Sequence, residues 1–256
     1  MRNSWTIFKR ELRQYFVSPI AYMVAFAVLV LLGLSFNTDL DYRVSNLLPP
    51  EGTLVLSTFA FLMVFFAPLL TMRLFAEEAR EGTLELMMSM PIRDVDLVLG
   101  KFFGAWAFYT VILALTSVYQ IALLWVTNWD ADPGVLRARL DTGEVIAAYI
   151  GIWLYGGATI SIGLFFSAVT ENQIIAGFLS MAVLLMLWVG DIAGLVPASI
   201  LSTDVVESLR VISLQSHYSS SFLRGLIVME DVYFYIALIV VVLFMTTRLV
   251  ESRRWR

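Results

Sequence analysis

Hydrophobic positions along the chain fall into six long windows without a charged residue, and short polar segments separate these windows. About 20 apolar residues cross the hydrocarbon core of a bilayer, so five windows are long enough, and the sixth reaches the required length with its flanks. Strands of a membrane barrel alternate in hydrophobicity, and an open sheet cannot satisfy its backbone in lipid. The pattern therefore predicts an all-α integral membrane protein with six transmembrane helices in one domain, residues 1–256. The charge-free windows are residues 14–38, 52–72, 102–129, 145–170, 172–190 and 232–247.

Composition and charge support this prediction and orient the helices. The chain is 59% hydrophobic, with a mean hydropathy of +0.81, and it has no cysteine, which excludes disulfides and thiolate metal sites. With the N-terminus inside, five of the 17 lysine and arginine residues lie in outer segments and the other twelve on the cytoplasmic side. Because basic residues favour the cytoplasmic side, both termini are predicted to face the cytoplasm. The outer five are Arg43, Arg137, Arg139, Arg210 and Arg224.

Residues 3–17 precede the first span and have the pattern of an amphipathic helix. Aromatic and leucine side chains recur at spacings of three and four residues, and the basic side chains fall mostly on the other face. Such a helix lies in the headgroup layer of the membrane. It serves as an anchor that orients the first span or as a contact for a cytoplasmic partner, and the two roles are compatible. The residues assigned to this surface helix are Trp5, Phe8, Lys9, Arg10 and Leu12.

The longest outer segment, residues 191–231, contains two uncharged stretches separated by charged residues. The stretches, residues 192–203 and 211–223, are too short to span a bilayer, so we predict a re-entrant helical hairpin on the outer side, before the last span. The single histidine of the chain, His217, lies in this segment. It is interpreted as an interfacial or packing residue, with substrate contact or a response to pH as the alternative.

Between the second and third spans, residues 73–101 form the most densely charged segment of the chain. Gly82 is predicted to break a helix that continues from the second span, and Thr83 to cap a second short helix. One leucine and two methionines share a face of that helix, at positions i, i+3 and i+4. Two interpretations stay open: this face packs on the protein's own helices, or it is a soft surface for a cytoplasmic partner, which suits methionine. The face consists of Leu84, Met87 and Met88.

Two pairs of small residues have the spacing of close helix contacts. Gly100 and Gly104 precede or begin the third span, and Gly157 and Ser161 lie in the fourth. Residues of this size, four positions apart, allow the backbones of two helices to approach each other. We therefore expect neighbouring helices to pack closely at these positions.

Several kinds of chemistry are excluded by residues that the sequence lacks. A nucleotide-binding loop needs a GxxxxGK[ST] motif, but Gly100 and Lys101 are followed by Phe102. Intramembrane metalloproteases and serine–histidine pairs need histidines that the windows do not contain, although Glu77 and Glu78 form a paired-glutamate motif. The windows also lack the buried charges of ion pumps and proton-coupled carriers. The chain is therefore predicted not to be an enzyme, and its driving force to come from another protein.

Two stretches of the sequence resemble a known family of membrane proteins. FAEEAREGTLELMMSMPIRDVDLVLGK, in the charged segment, is similar to the cytoplasmic signature of permeases of the ABC type-2 transporter family, in particular the gliding-motility type. GLFFSAVTENQIIAG, residues 163–177, resembles the second pattern of the same family. The six-span order, the surface helix and the outer segment also fit, so the resemblance covers nearly the whole chain. Met87 and Met88 stand where leucines are commoner in the family.

The resemblance implies a permease subunit of an exporter in the cytoplasmic (inner) membrane of a prokaryote. Two permease subunits, identical or related, form the pathway, and two separate ABC ATPase subunits bind below them and carry ATP and Mg²⁺. This chain itself then holds no cofactor, and its other contact is the lipid bilayer, with no nucleic acid. Residues 73–101 become the coupling loop, residues 3–17 the connecting helix, and residues 191–231 the hairpin that closes the outer end. The ATPase-coupling residues are Glu77, Glu78, Arg80, Glu81, Gly82, Thr83, Leu84, Glu85, Met87 and Met88.

Two alternative functions stay open at the level of the sequence. The same fold would serve a membrane scaffold or sensor that recruits a cytoplasmic ATPase without transporting a substrate. An intramembrane enzyme is the third hypothesis, and it depends on His217, since the chain has no other histidine. The sequence does not indicate the chemical class of a substrate.

Overall fold

The computed structural model describes residues 2–46, 48, 51–89, 92–129, 142–192 and 203–253. Over these residues every regular element is helical, which confirms the predicted all-α class. Six helical segments are long and apolar enough to cross a membrane, in agreement with the six predicted spans. The helices are α1 (Arg2–Val17), α2 (Pro19–Ser45), α3 (Leu54–Thr71), α4 (Ala76–Arg80), α5 (Thr83–Ser89), α6 (Asp94–Trp129), α7 (Thr142–Val169), α8 (Gln173–Ile192), α9 (Thr203–Ile212), α10 (Leu214–Ser220) and α11 (Met229–Arg253), with a 3-10 turn at Phe222–Arg224.

A proline separates the surface helix from the first span. α1 ends at Val17 because Pro19 disfavours a helical conformation at the preceding residue, Ser18, whose ψ is 116°. Pro19 then occupies the first turn of α2, where its missing N–H is not needed. Residues 14–17, at the start of the first charge-free window, therefore belong to the surface helix and not to the span.

α7 is the central helix of the bundle and packs against α3, α6, α8 and α11. Small side chains make these contacts possible. A Cβ atom at Gly156 would overlap a tyrosine ring of α6, and one at Gly163 would overlap the hydroxyl of Thr71 on α3. Gly157 and Ser161, whose spacing predicts close packing, are both buried in this core. The outward faces of α2, α8 and α11 carry exposed apolar side chains, as lipid contact requires.

The segment before the last span, which is predicted to lie on the outer side, contains short helices packed on the end of the bundle. α9 packs on α8, and α10 packs on α7 and α8, with Leu214 and Tyr218 buried. Gly225, at a φ of +76°, ends the 3-10 turn that follows. Residues 193–202, in the first half of the predicted re-entrant hairpin, lie outside the described residues, so the hairpin stays a prediction. The outer loop of residues 130–141 also lies outside them.

Candidate functional site

The charged segment between α3 and α6 contains two short helices joined by a glycine turn. α4 ends with backbone hydrogen bonds from Glu81 N to Glu77 O, 3.0 Å, and from Gly82 N to Ala79 O, 3.2 Å. Gly82 has a φ of +71°, a conformation that costs residues with a side chain about 1–2 kcal/mol. The helix break that the sequence predicts at Gly82 is present in the structure.

The structure corrects the role predicted for Thr83. α5 begins at Thr83 itself, so this residue lies inside the helix and does not precede it as a cap. Its hydroxyl donates to the carbonyl oxygen of Glu78, at 3.3 Å, and connects α5 back to α4. Gly82 directly precedes α5, and its left-handed conformation turns the chain between α4 and α5.

α5 presents two different faces. Leu84 and Met88 are buried and Met87 is half-buried, so the predicted apolar face packs on the protein's own helices in this conformation. Leu86, which the apolar periodicity did not single out, is 64% exposed and lies next to the exposed Glu85. Periodicity identifies residues that share a face, but it does not show which face points outward.

Four charged side chains from α1, α4 and α6 meet in an ionic cluster, in which Glu11 and Lys101 are buried, Glu78 is 16% exposed and Arg10 is 40% exposed. Lys101 is 1% exposed. Its Nζ lies 3.2 Å from Glu11 Oε1 and 2.8 Å from Glu78 Oε2. The second of these contacts is an ion pair without hydrogen-bond geometry. Arg10 Nη2 lies 2.6 Å from Glu11 Oε1 and 2.9 Å from Glu78 Oε1. The ring of Phe75 covers Lys101, with its centroid 5.2 Å from Nζ. The cluster pairs two cations with two carboxylates, so it carries no net charge.

This neutrality explains why the cluster is compatible with burial. A charge taken out of water costs several kcal/mol, and pairing offsets this cost only when all partners stay in place. Burial opposes the charge of Arg10, but Glu11 and Glu78 outweigh it and raise the pKa of the Arg10 guanidinium above its ordinary value. The cluster therefore favours one arrangement of α1, α4 and α6 and penalises any arrangement in which a partner is withdrawn.

α1 approaches α6 closely, and two glycines make this approach possible. A Cβ atom at Gly100 would lie 2.7 Å from Cβ of Ile7, and one at Gly104 would lie 2.7 Å from Cβ of Glu11. Carbon atoms in contact are about 3.5–4.0 Å apart, so a side chain at either glycine would push α1 away. The spacing of Gly100 and Gly104 predicts close packing, and the helix that packs there is the surface helix.

Further hydrogen bonds connect α1 to α5 and α3. Arg10 Nη1 donates to Sδ of Met87 on α5, at 3.2 Å. The hydroxyl of Tyr15 donates to the carbonyl oxygen of Leu70, near the end of α3, at 2.8 Å. α1 therefore contacts four neighbouring helices, α3, α4, α5 and α6, through polar groups, which is more than a membrane anchor requires.

The residues predicted for the surface helix lie on two sides of α1. Trp5 is 57% exposed and stacks on Phe8, with ring centroids 5.0 Å apart, and Lys9 Nζ lies 5.3 Å from the Trp5 ring centroid. Leu12 is half-buried against the core, and Arg10 reaches the ionic cluster. Trp5, Phe8 and Lys9 form an aromatic and basic face of α1, and Arg10 and Leu12 face the bundle.

A serine of α7 holds the junction between α3 and α4. Ser167 Oγ accepts hydrogen bonds from the backbone N–H groups of Phe75, at 3.0 Å, and Ala76, at 3.2 Å, and donates to the carbonyl oxygen of Met72, at 3.1 Å. The first N–H groups of a helix have no helical partner, so a side chain must satisfy them when they are buried. Ser167 belongs to GLFFSAVTENQIIAG, and Phe75 begins the charged motif, so the two family-like stretches contact each other.

Three buried residues of this site were not predicted from the sequence: Glu11, Lys101 and Ser167. Lys101 ends the first family-like stretch and takes part in the failed nucleotide-loop match, and neither assigns it a buried partner. It lies between Gly100 and Gly104, whose spacing is the local signal of this close contact.

His217 occupies a separate polar site in the outer segment. Its Nδ1 lies 2.6 Å from Asp231 Oδ1, its Nε2 faces the carbonyl oxygen of Val211 at 3.0 Å, and its ring stacks on Phe234. Both ring nitrogens therefore face oxygen atoms of neighbouring residues. These contacts favour a packing role, and no cluster of metal-ligating side chains occurs in the described part of the chain.

The fold and this site define a multi-pass membrane protein whose ionic cluster joins the surface helix, the charged segment and a spanning helix. The sequence matches the family described as ABC-2 family transporter protein over residues 5–252, nearly the entire chain. The chain therefore belongs to the ABC-2 family and is a membrane permease component of an ABC transporter. Permeases of this family are non-catalytic and generally pair with ABC ATPase subunits, so the prediction that the chain is not an enzyme is confirmed. The comparison with curated proteins gives no match.

Proposed function

We propose that this permease couples ATP hydrolysis on separate ABC ATPase subunits to the export of a substrate, as a member of the gliding-motility type. ATP and Mg²⁺ bind to the ATPase subunits, and this chain contributes no cofactor. A second permease subunit, identical or related, completes the pathway. The protein lies in the cytoplasmic membrane of a prokaryote, and both of its termini face the cytoplasm.

The observation that carries this proposal is the ionic cluster of Arg10, Glu11, Glu78 and Lys101, with the contact between Glu11 and Lys101 buried. It joins α4 to the surface helix and to a spanning helix, so a displacement of α4 reaches α6 through paired charges. Closely packed interfaces of this kind move between discrete arrangements and do not deform gradually. Ser167 provides a second connection, from α4 to the central helix α7. Both links support a role in transmitting movement.

The surface that receives the ATPase is the outward side of α4 and α5. Leu86 is a large apolar side chain exposed on this side, and charged residues surround it. Protein interfaces commonly combine a central apolar anchor with a polar rim. Leu84 and Met88, on the opposite side of α5, hold it against the bundle and so belong to the path of transmission. The exposed charged residues are Arg80, Glu81 and Glu85.

The segments assigned to the cytoplasm lie close together, which supports their placement on the same side of the membrane. α1 contacts α6 beside Lys101, and the start of α4 contacts Ser167 near the end of α7. Arg253, at the end of α11, donates to the carbonyl oxygen of Val169 at 3.1 Å. The bias of basic residues independently favours the cytoplasm for this end of the bundle.

Single cysteines at Ser89 and Ser45 test this orientation, because the chain has no cysteine that would interfere. Ser89 ends α5 and Ser45 ends α2, and both are exposed. In intact cells we expect a membrane-impermeant maleimide to label Ser45→Cys, and to label Ser89→Cys only after the membrane is opened. The reverse pattern would overturn the orientation, and labelling of both positions from one side would overturn the span order.

Leu86→Glu tests the proposed ATPase surface without disturbing the core. Burying a leucine at an interface is worth about 1.5–3 kcal/mol, so the variant should bind the ATPase subunits roughly tenfold or more weakly. The measurement is the amount of nucleotide-binding subunit that copurifies with the tagged permease, and the ATP hydrolysis of that complex. The matched control is Val44→Glu, which places the same charge on an exposed apolar position at the far end of α2. This control should copurify and hydrolyse ATP like the unmodified protein.

Two results would contradict the proposal. If Leu86→Glu retained the ATPase subunits and their activity in full, α5 would not be their docking surface. If the complex in proteoliposomes hydrolysed ATP while a cysteine pair across the outer ends of the spans showed no ATP-dependent change in distance, the scaffold or sensor hypothesis would replace transport.

A further inference from the structure

A cleft of about 540 Å³ opens between α1 and α2 on one side and α3, α4 and α5 on the other. Its volume lies in the range of roughly 300–1,000 Å³ that is usual for ligand sites. Charged residues of α1, of α6 and of the segment that follows α3 line the cleft together with Leu74, Leu86 and Met87. The start of α2 and the end of α3 contribute only apolar side chains. The apolar wall consists of Ile20, Ala21, Val24, Phe66, Leu69 and Leu70.

Arg73 lines this cleft and carries an unsatisfied hydrogen-bond donor. Its Nε is buried and has no hydrogen-bond partner, and within the described residues its side chain makes no ion pair. A buried donor without an acceptor is unfavourable, so native proteins rarely leave one unless a ligand or water completes it. An arginine in this situation fits a phosphate, whose oxygens match the geometry of the guanidinium.

Two carboxylates stand in line with Arg73 along the cleft. Backbone hydrogen bonds from Glu77 N to Arg73 O, 3.4 Å, and from Glu81 N to Glu77 O, 3.0 Å, show that the three residues follow one another by one helical turn. All three line the cleft, and over the described residues neither carboxylate has an ion pair. The other charged residues at the cleft neutralise one another in the ionic cluster. One cation and two carboxylates therefore remain, which is unsuitable for a simple anion.

We propose that this cleft binds a zwitterionic phospholipid with a primary amine in its headgroup. The phosphate lies on Arg73, and the ammonium group lies toward Glu77 and Glu81. One acyl chain continues along the apolar wall between α2 and α3. The charges and polarity of the cleft define this site without the proposed coupling to an ATPase, although Glu77 and Glu81 also belong to the predicted ATPase-coupling residues.

Native mass spectrometry of the full-length protein in detergent tests this proposal with three probes that share the same acyl chains. Dioleoyl-phosphatidylethanolamine should be retained best, dioleoyl-phosphatidylglycerol less, and dioleoylglycerol, which lacks the phosphate, least. Arg73→Gln should weaken retention of both phospholipids about tenfold, the effect of losing one charge-assisted contact. Glu77→Gln combined with Glu81→Gln should remove the preference for phosphatidylethanolamine over phosphatidylglycerol.

Arg93→Gln is the matched control, because Arg93 is exposed and does not line the cleft. It should retain all three probes like the unmodified protein. Equal retention by the unmodified protein and Arg73→Gln would overturn the proposal, as would retention of dioleoylglycerol equal to that of phosphatidylethanolamine. Glycerophosphoethanolamine, the headgroup without acyl chains, should not displace the lipid at equal concentration, and displacement would show that the apolar wall contributes nothing.

A photocrosslinker identifies the occupant in the membrane and does not depend on any charge variant. Benzoylphenylalanine in place of Leu69, which lines the apolar wall, should give an adduct with the mass of a phosphatidylethanolamine after illumination of native membranes. The adduct should weaken when Arg73→Gln is added. A protein adduct, whether with an ATPase subunit or with a second copy of this chain, would assign the cleft to a protein partner and overturn the lipid site.

Discussion

Replacing Lys101 with methionine should lower the stability of this permease by about 3–5 kcal/mol, the usual cost of removing one partner from a buried ion pair. Methionine preserves the length of the side chain and removes its charge. Glu11 and Glu78 would then share Arg10 alone, and the cluster would bury one uncompensated negative charge. The measurement is the shift in thermal unfolding of the purified protein, with the exposed Lys9→Met as control, where the loss should stay within about 1 kcal/mol.

A second substitution should rescue the first. Glu11→Leu added to Lys101→Met removes one charge of each sign and leaves Arg10 paired with Glu78, and replacing a buried ion pair by apolar groups is often neutral. The double variant should therefore recover most of the lost stability, and the non-additivity measures the interaction between the two sites. If Lys101→Met were no worse than Lys9→Met, or if the second change added to the loss, the cluster would not be the junction described above.

Ser167→Ala should loosen the junction between α3 and α4. The substitution leaves the N–H groups of Phe75 and Ala76 buried without an acceptor, at a cost of about 1–3 kcal/mol for each. The amides of Phe75 and Ala76 should exchange faster with deuterated solvent, and the unfolding temperature should fall.

Ser161→Ala is a control on the same helix and at the same depth. Its hydroxyl donates only to the carbonyl oxygen of Ala158 in its own helix, so its removal leaves no orphaned backbone group. We expect Ser161→Ala to leave the exchange of the Phe75 amide unchanged. If the Phe75 amide exchanged at the same rate in Ser167→Ala and in Ser161→Ala, water would satisfy the N–H groups at the junction. Ser167 would then not be the connection between α7 and α4.

Local sequence patterns were sufficient for the spans, the surface helix and the break at Gly82. Each of these follows from neighbouring residues: an apolar run matched to the bilayer, a spacing of three and four, and a glycine within a charged segment. The same periodicity grouped Leu84 with Met88 correctly but left open whether that face meets a partner or the bundle. The answer depends on helices far away in the sequence, against which both residues are buried.

The ionic cluster could not be predicted because its members are distant in sequence. Glu11 and Lys101 are separated by 90 positions, and each appears in isolation as an ordinary charged residue near a membrane surface. Ser167 is likewise an unremarkable serine in an apolar helix until α4 is placed beside it. Pairing of this kind depends on the three-dimensional arrangement, and only the glycine spacing on α6 gave a local indication of it.

The neutral, buried attachment of α1 determines how this helix responds to ionic strength. A helix held to a membrane by basic side chains and anionic headgroups detaches as salt screens the attraction, since the Debye length falls from about 10 Å at 0.1 M to about 3 Å at 1 M. Mobile ions do not reach the contact between Glu11 and Lys101, where the side chains are 3% and 1% exposed. We therefore expect α1 to stay packed on α6 in concentrated salt, as an integral part of the bundle.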